Sequence, residues 1–180
     1  MQRRRSGLLA AVILLFGCAP ADLPTAAERG DTPRVRELLA AGSAVTSADD
    51  DGMTALHFAA RRGDVELATL VLAAGAPLDA VDDRRWTPLH YAAAEGQDEL
   101  VALLLAHGAA VDARAAANFT PLHLAVVNSR YDAARRLLAA GAALDAKGME
   151  GRTPLEFARQ RADEEMVALL EAVAVERGGQ

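Results

Sequence analysis

Thr54-Ala55-Leu56-His57, Thr87-Pro88-Leu89-His90, Thr120-Pro121-Leu122-His123 and Thr153-Pro154-Leu155-Glu156 follow one another at intervals of 33 residues, and Gly42, Gly75, Gly108 and Gly141 keep the same interval. No insertion interrupts either series. A fixed period of this size specifies one supersecondary unit copied in line. Each copy is too small to bury its own apolar face, so its neighbours supply the core. The period therefore argues for a repeat array and against a single globular core.

The residue types explain the unit. Thr is a good helix N-cap, and Pro at the next position has its φ preset and no amide hydrogen to satisfy. Leu56, Leu89, Leu122 and Leu155 open an apolar face, followed by small residues that let neighbouring helices approach. Gly63, Gly96 and Ser129 break this first helix, and a second apolar run follows, as in Leu67–Leu72 and Leu100–Leu105. The recurring glycine stands where a left-handed C-cap would end the second helix. The residues from Gly75 to Trp86 then read as an extended finger with a tight turn.

These phrases resemble the signature of the ankyrin repeat, over roughly residues 21–177. The resemblance implies an all-α fold, an ankyrin repeat solenoid with a helix-turn-helix and a β-hairpin finger in each repeat. The expected repeats are about 21–52, 53–85, 86–118, 119–151 and 152–177, with a frayed tail at 178–180. Repeat one lacks the Thr and His, as suits a first copy with no upstream neighbour. Repeat five replaces the His with Glu156 and carries Asp163, Glu164 and Glu165, as suits a solvent-facing end. In the fingers, the family prefers Asp at the turn and Gly three residues on. Asp49 and Gly52 obey, whereas Asp82 is followed by Arg85, Ala115 by Asn118 and Gly148 by Gly151. Arg tolerates a left-handed backbone poorly, so an altered or mildly strained turn is expected at Arg85.

The array follows a leader. Arg3-Arg4-Arg5 is a basic start, and Leu8 to Phe16 is an unbroken apolar run. That is the length of a signal-peptide core, whereas a membrane-spanning helix needs ~20 residues. Leu15-Phe16-Gly17-Cys18 resembles a bacterial lipobox, departing from it at Phe16. It implies a signal peptide at 1–17, lipidation of Cys18 and a short tether at 18–22. Cleavage after Ala21 to release a soluble protein is the competing expectation. Ala19 is not the Asp that retains lipoproteins at the inner membrane, which gives the outer membrane a mild preference. The expected location is the cell envelope, facing the periplasm. The formal net charge of −6 argues against nucleic acid, whose phosphates need a basic face. The single cysteine excludes an intramolecular disulfide framework.

No catalytic constellation is legible. The four serines lie outside any Gly-x-Ser-x-Gly turn, and the glycines are spaced by the repeat instead of clustered around a phosphate. His57, His90 and His123 invite a metal reading. Equivalent residues of stacked repeats stand ~8–10 Å apart, too far for a zinc ion with ~2 Å bonds. They are expected to bond locally with Thr54, Thr87 and Thr120 and to tie repeats together. Asp49-Asp50-Asp51 and Asp82-Asp83 serve more simply as turn residues than as a calcium site, which needs six or more converging oxygens. No cofactor is expected.

In ankyrin proteins the finger tips and the exposed end of the first helix form a continuous concave surface. Carried over by position, repeat two supplies Asp50, Asp51, Met53, Arg61 and Arg62 to that surface. Repeat three supplies Asp83, Arg84, Trp86, Ala94 and Glu95; repeat four supplies Phe119, Val127 and Asn128. Met53, Trp86 and Phe119 are expected to form an apolar ladder over adjacent fingers, with packing of finger on finger as the plainer alternative. The resemblance thus implies a monomeric, non-catalytic module that binds an unidentified protein partner. Two other readings are an accessory or inhibitor protein that masks or stabilises a periplasmic enzyme, and a secreted effector that binds host proteins.

Overall fold

The structure is a computed structural model and describes residues 22–178. Cys18, the expected signal peptide and all of the tether except Asp22 lie outside the described residues. Five helix pairs follow one another: α1 (Leu23–Arg29) and α2 (Thr32–Ala40), α3 (Ala55–Arg62) and α4 (Val65–Ala73), α5 (Pro88–Glu95) and α6 (Asp98–Ala106), α7 (Pro121–Val127) and α8 (Tyr131–Ala139), α9 (Pro154–Gln160) and α10 (Glu164–Gly178). Gly178, expected to fray, ends α10. Among the described residues, no helix is long and apolar enough to cross a membrane.

The first helices of the pairs pack side by side in one row, and the second helices form another row behind them. The first row is the core. In α5 every residue except Glu95 is buried, whereas α4 buries only Leu67, Ala68 and Val71. Leu23, Leu56, Leu89 and Leu122 form one column through this row, each at most 1% exposed. Burying each contributes about 2 kcal/mol. Leu155, next in the column, is only half-buried because no further repeat stacks beyond it among the described residues.

The starts of the first helices are tied down locally. Thr87, Thr120 and Thr153 accept the amide of the third helical residue, whose own side chain bonds back to the Thr amide, a reciprocal cap. Asp22 does the work of the missing Thr in repeat one, accepting the Thr25 amide at 2.9 Å. The first helices end on Gly30, Gly63 and Gly96 in the left-handed region, and Ser129 and Ala162 adopt the same conformation.

The fingers differ from the expected β-hairpins. The ladder is reduced to a single bridge, Ala48 with Thr54, and no longer strand forms among the described residues. Across the base of each finger runs a backbone bond, the amide of Asp49 to Met53 O, of Asp82 to Trp86 O, of Ala115 to Phe119 O and of Gly148 to Arg152 O, at 2.8–3.1 Å. Fingers this short hold position by bonding to their neighbours. The Asp83 amide donates to Asp51 O, and the Ala116 amide to Arg84 O, both at 3.0 Å.

Candidate functional site

The finger turns fall into two kinds. In the first, Asp49 Oδ1 accepts the amides of Asp51 and Met53 at 3.0 and 2.8 Å, and Asp82 Oδ1 accepts those of Arg84 and Trp86 at 2.9 and 2.7 Å. One left-handed residue, Gly52 or Arg85, completes each turn. The expected alteration at Arg85 is absent, because the Arg85 amide still reaches Asp82 O at 2.8 Å. Arg85 instead takes a φ of 60°, a strained value for a residue with a side chain. In the second kind, Ala115 and Gly148 offer no carboxylate. These turns use two left-handed residues in succession, Ala117-Asn118 and Glu150-Gly151. The aspartate, more than the glycine three residues on, decides the turn.

Behind the fingers lie the three imidazoles. The amide and hydroxyl of Thr54 approach His57 Nδ1 at 3.0 and 2.9 Å, and Thr87–His90 and Thr120–His123 repeat the arrangement. An amide can only donate, so Nδ1 accepts and the proton sits on Nε2. Each Nε2–H then donates to a carbonyl of the next repeat: Trp86 O at 3.0 Å, Phe119 O at 3.2 Å and Arg152 O at 3.2 Å. These carbonyls also close their own fingers, so each spends both lone pairs. Burial lowers all three histidine pKa values, that of His90 to about 4. Among the described residues, no group of three or more His, Cys, Asp or Glu side chains is placed to hold a metal ion.

A cleft of about 290 Å³ opens between the second and third repeats, where two finger tips meet the ends of α3 and α5. Asp51, Met53, Arg61, Asp83, Arg84, Trp86 and Glu95, all named from sequence, line it. Two further lining residues, Asp82 and Tyr91, were missed. Both are buried, and the Tyr91 hydroxyl donates to Asp82 Oδ2 at 2.7 Å. Burial and this bond push the Tyr91 pKa up. The available signal was that Tyr91 carries a polar atom in a column that holds Phe58, Leu124 and Phe157 in the other repeats after the first.

Other expected surface residues take different places. Met53 is 5% exposed, with its sulfur 3.9 Å from the Tyr91 hydroxyl, and Ala94 is 7% exposed. Neither belongs to an open surface: Met53 meets Tyr91 of the next first helix, and Arg130 of the next repeat bonds to the Ala94 carbonyl. The solvent-facing ladder therefore fails at its first rung. Trp86 is half-buried, its ring 4.9 Å from that of Tyr91 and 6.3 Å from that of His90. Phe119, also half-buried, lies 5.4 Å from His123 and 5.3 Å from Phe157. Arg62 reaches back over Gly30 to donate to Glu28 O at 3.2 Å, a seam contact. Asp50 is exposed away from the cleft lining. Val127 is half-buried, and Asn128 is exposed with its amide donating to Leu124 O at 2.8 Å.

Comparison with known proteins agrees with this architecture. The family described as ankyrin repeats (3 copies) matches residues 23–115, and that described as ankyrin repeats (many copies) matches residues 104–158. No curated protein matches the chain.

Proposed function

The chain belongs to the ankyrin-repeat family, and from that premise we propose that it is a protein-binding module whose partner meets the finger face around Trp86. Members of this family are generally non-catalytic binding modules. The observation that carries the reading is the cleft. It gathers charged side chains from two repeats, and among the described residues Asp51, Asp83, Arg61, Arg84 and Glu95 form no ion pair with one another or with any other group. Charges left this way at the mouth of a cleft with an aromatic wall are free to meet a partner.

The proposal extends to location. A lipid on Cys18 would hold the array at the cell envelope, facing the periplasm, with the outer membrane preferred. What supports this is the sequence alone: the basic start, the apolar run and the lipobox-like Leu15-Phe16-Gly17-Cys18. Asp22 caps α1 directly, so residues 19–21 alone separate Cys18 from the folded array. Three extended residues span ~10 Å, which would keep the partner close to the same membrane.

Affinity capture from envelope extracts tests the face, using the wild-type domain against Trp86→Ala. Removing the indole should weaken capture by about 2 kcal/mol or more. A sharply lowered unfolding midpoint with unchanged affinity would instead make Trp86 a packing residue and remove the face. Intact mass and detergent partitioning test the anchor, which falls if the product is water-soluble and begins at Asp22.

A further inference from the structure

The charge in the cleft is uneven. Asp51 and Asp83 sit at the tips of adjacent fingers, both exposed and bonded to each other through the backbone at 3.0 Å. Glu95 is exposed at the end of α5. Asp82 adds a fourth negative charge, although three donors already occupy its oxygens. Two guanidiniums stand against these four carboxylates. That of Arg61 lies 5.1 Å from the centre of the Phe58 ring, held against its own helix, and that of Arg84 is exposed.

The same cleft is walled by the partly open indole of Trp86, tilted at 60° on Tyr91. An aromatic face flanked by unpaired carboxylates recognises a flat cation, since a guanidinium stacks on the ring and donates its fork of N–H groups to the acids. The chain's net charge of −6 adds a longer-range field that draws basic segments and repels acidic ones. The cleft volume, about 290 Å³, is at the small end of the ~300–1,000 Å³ of ligand pockets. That suits one long side chain and excludes an element of secondary structure.

We infer that the cleft receives an arginine side chain of the protein partner, with the guanidinium against Trp86 and its donors on Asp83 and Glu95. The inference rests on the protein-binding reading above and names the partner's chemistry at that site. Trp86 is the only tryptophan in the chain, so its fluorescence reports this site alone. The probes are a blocked Gly-Ser peptide bearing two arginines and twins bearing two glutamines or two glutamates.

The arginine peptide should change Trp86 emission saturably, and the twins should not. Its affinity should fall about tenfold in the Asp83→Asn/Glu95→Gln variant, where both positions are exposed and the fold is checked by circular dichroism. Affinity should also fall as salt rises, and it should tighten in Arg84→Gln. Stronger binding of the glutamate peptide, or equal binding of the arginine peptide to the Asp83→Asn/Glu95→Gln variant, would overturn the inference. Capture of the partner separates this from failure of the wider reading. If Trp86→Ala abolishes capture while Asp83→Asn/Glu95→Gln leaves it unchanged, the face stands and the arginine falls. If neither variant affects capture, the face falls too.

Discussion

His57, His90 and His123 are held neutral chiefly by burial, and a backbone amide aimed at each Nδ1 fixes the remaining proton on Nε2. Their folded pKa values lie below the unfolded value near 6.5, so the unfolded chain binds more protons between the two. Stability from these groups is complete above about pH 6.5 and falls as the pH drops through that value. For His90 the loss continues to about pH 4 and amounts to roughly 3 kcal/mol. Urea midpoints should therefore drop between pH 7 and pH 5, before most carboxylates titrate; a flat profile over that window would show that the fold does not hold these imidazoles neutral. Arg85 offers an opposite kind of prediction. Its φ of 60° suits glycine, so Arg85→Gly should raise stability by about 1 kcal/mol in thermal unfolding, with the turn unchanged. The strain at Arg85 was legible in the sequence, because the residue stood where the pattern asked for glycine. The burial of Met53 and Ala94 was not. Position in a repeat marks the column a side chain belongs to, whereas exposure depends on what the next repeat lays over it.

Among the elements, the helices and the places of the finger turns were readable, and the bonds that hold the fingers were not. Thr-Pro-Leu-His supplies an N-cap, a preset φ and an apolar face within four residues, and every such phrase begins a helix. The fingers depend on one aspartate carboxylate and on backbone bonds between neighbours, which no local pattern of hydrophobicity records. The seams between first helices combine both kinds of information. Gln97 Nε2 donates to Arg61 O at 3.4 Å and Arg130 Nε to Ala94 O at 3.1 Å, satisfying carbonyls that a helix C-terminus leaves open. Arg130 also lies across Gly96, where an added Cβ would come within 2.8 Å of its Cδ. Gly96→Ala should thus cost about 2 kcal/mol, from the positive φ and from the displaced arginine together. Arg130→Ala should cost about 1 kcal/mol, from the bond alone. In a double-mutant cycle the two losses should add to less than their sum, because both break the same seam.

At the scale of the whole molecule, the seam bonds have a direction. The imidazoles of repeats two, three and four donate forward, each to a carbonyl of the next repeat, and Arg62, Gln97 and Arg130 of the same repeats donate backward, each to the repeat before. The joints between the second and third and between the third and fourth repeats therefore present the same pair of sockets in the same orientation, so one of these internal units can be exchanged for another but none can be reversed. Excising residues 86–118 would bring Phe119 O to His57 and Arg130 to Arg61 O, the positions that Trp86 and Gln97 occupy now. The shortened protein should fold with a single cooperative transition and a lower midpoint. Removing residues 152–180 deletes a comparable length, yet it strips the His123 imidazole of its acceptor and uncovers Leu122. That truncation should unfold at a lower temperature than the internal excision and aggregate more readily, which calorimetry and light scattering of the two proteins would show. A chain joined this way has a grammar as well as a core: it lengthens or shortens by whole words taken from its middle, while its first and last words stay where they are.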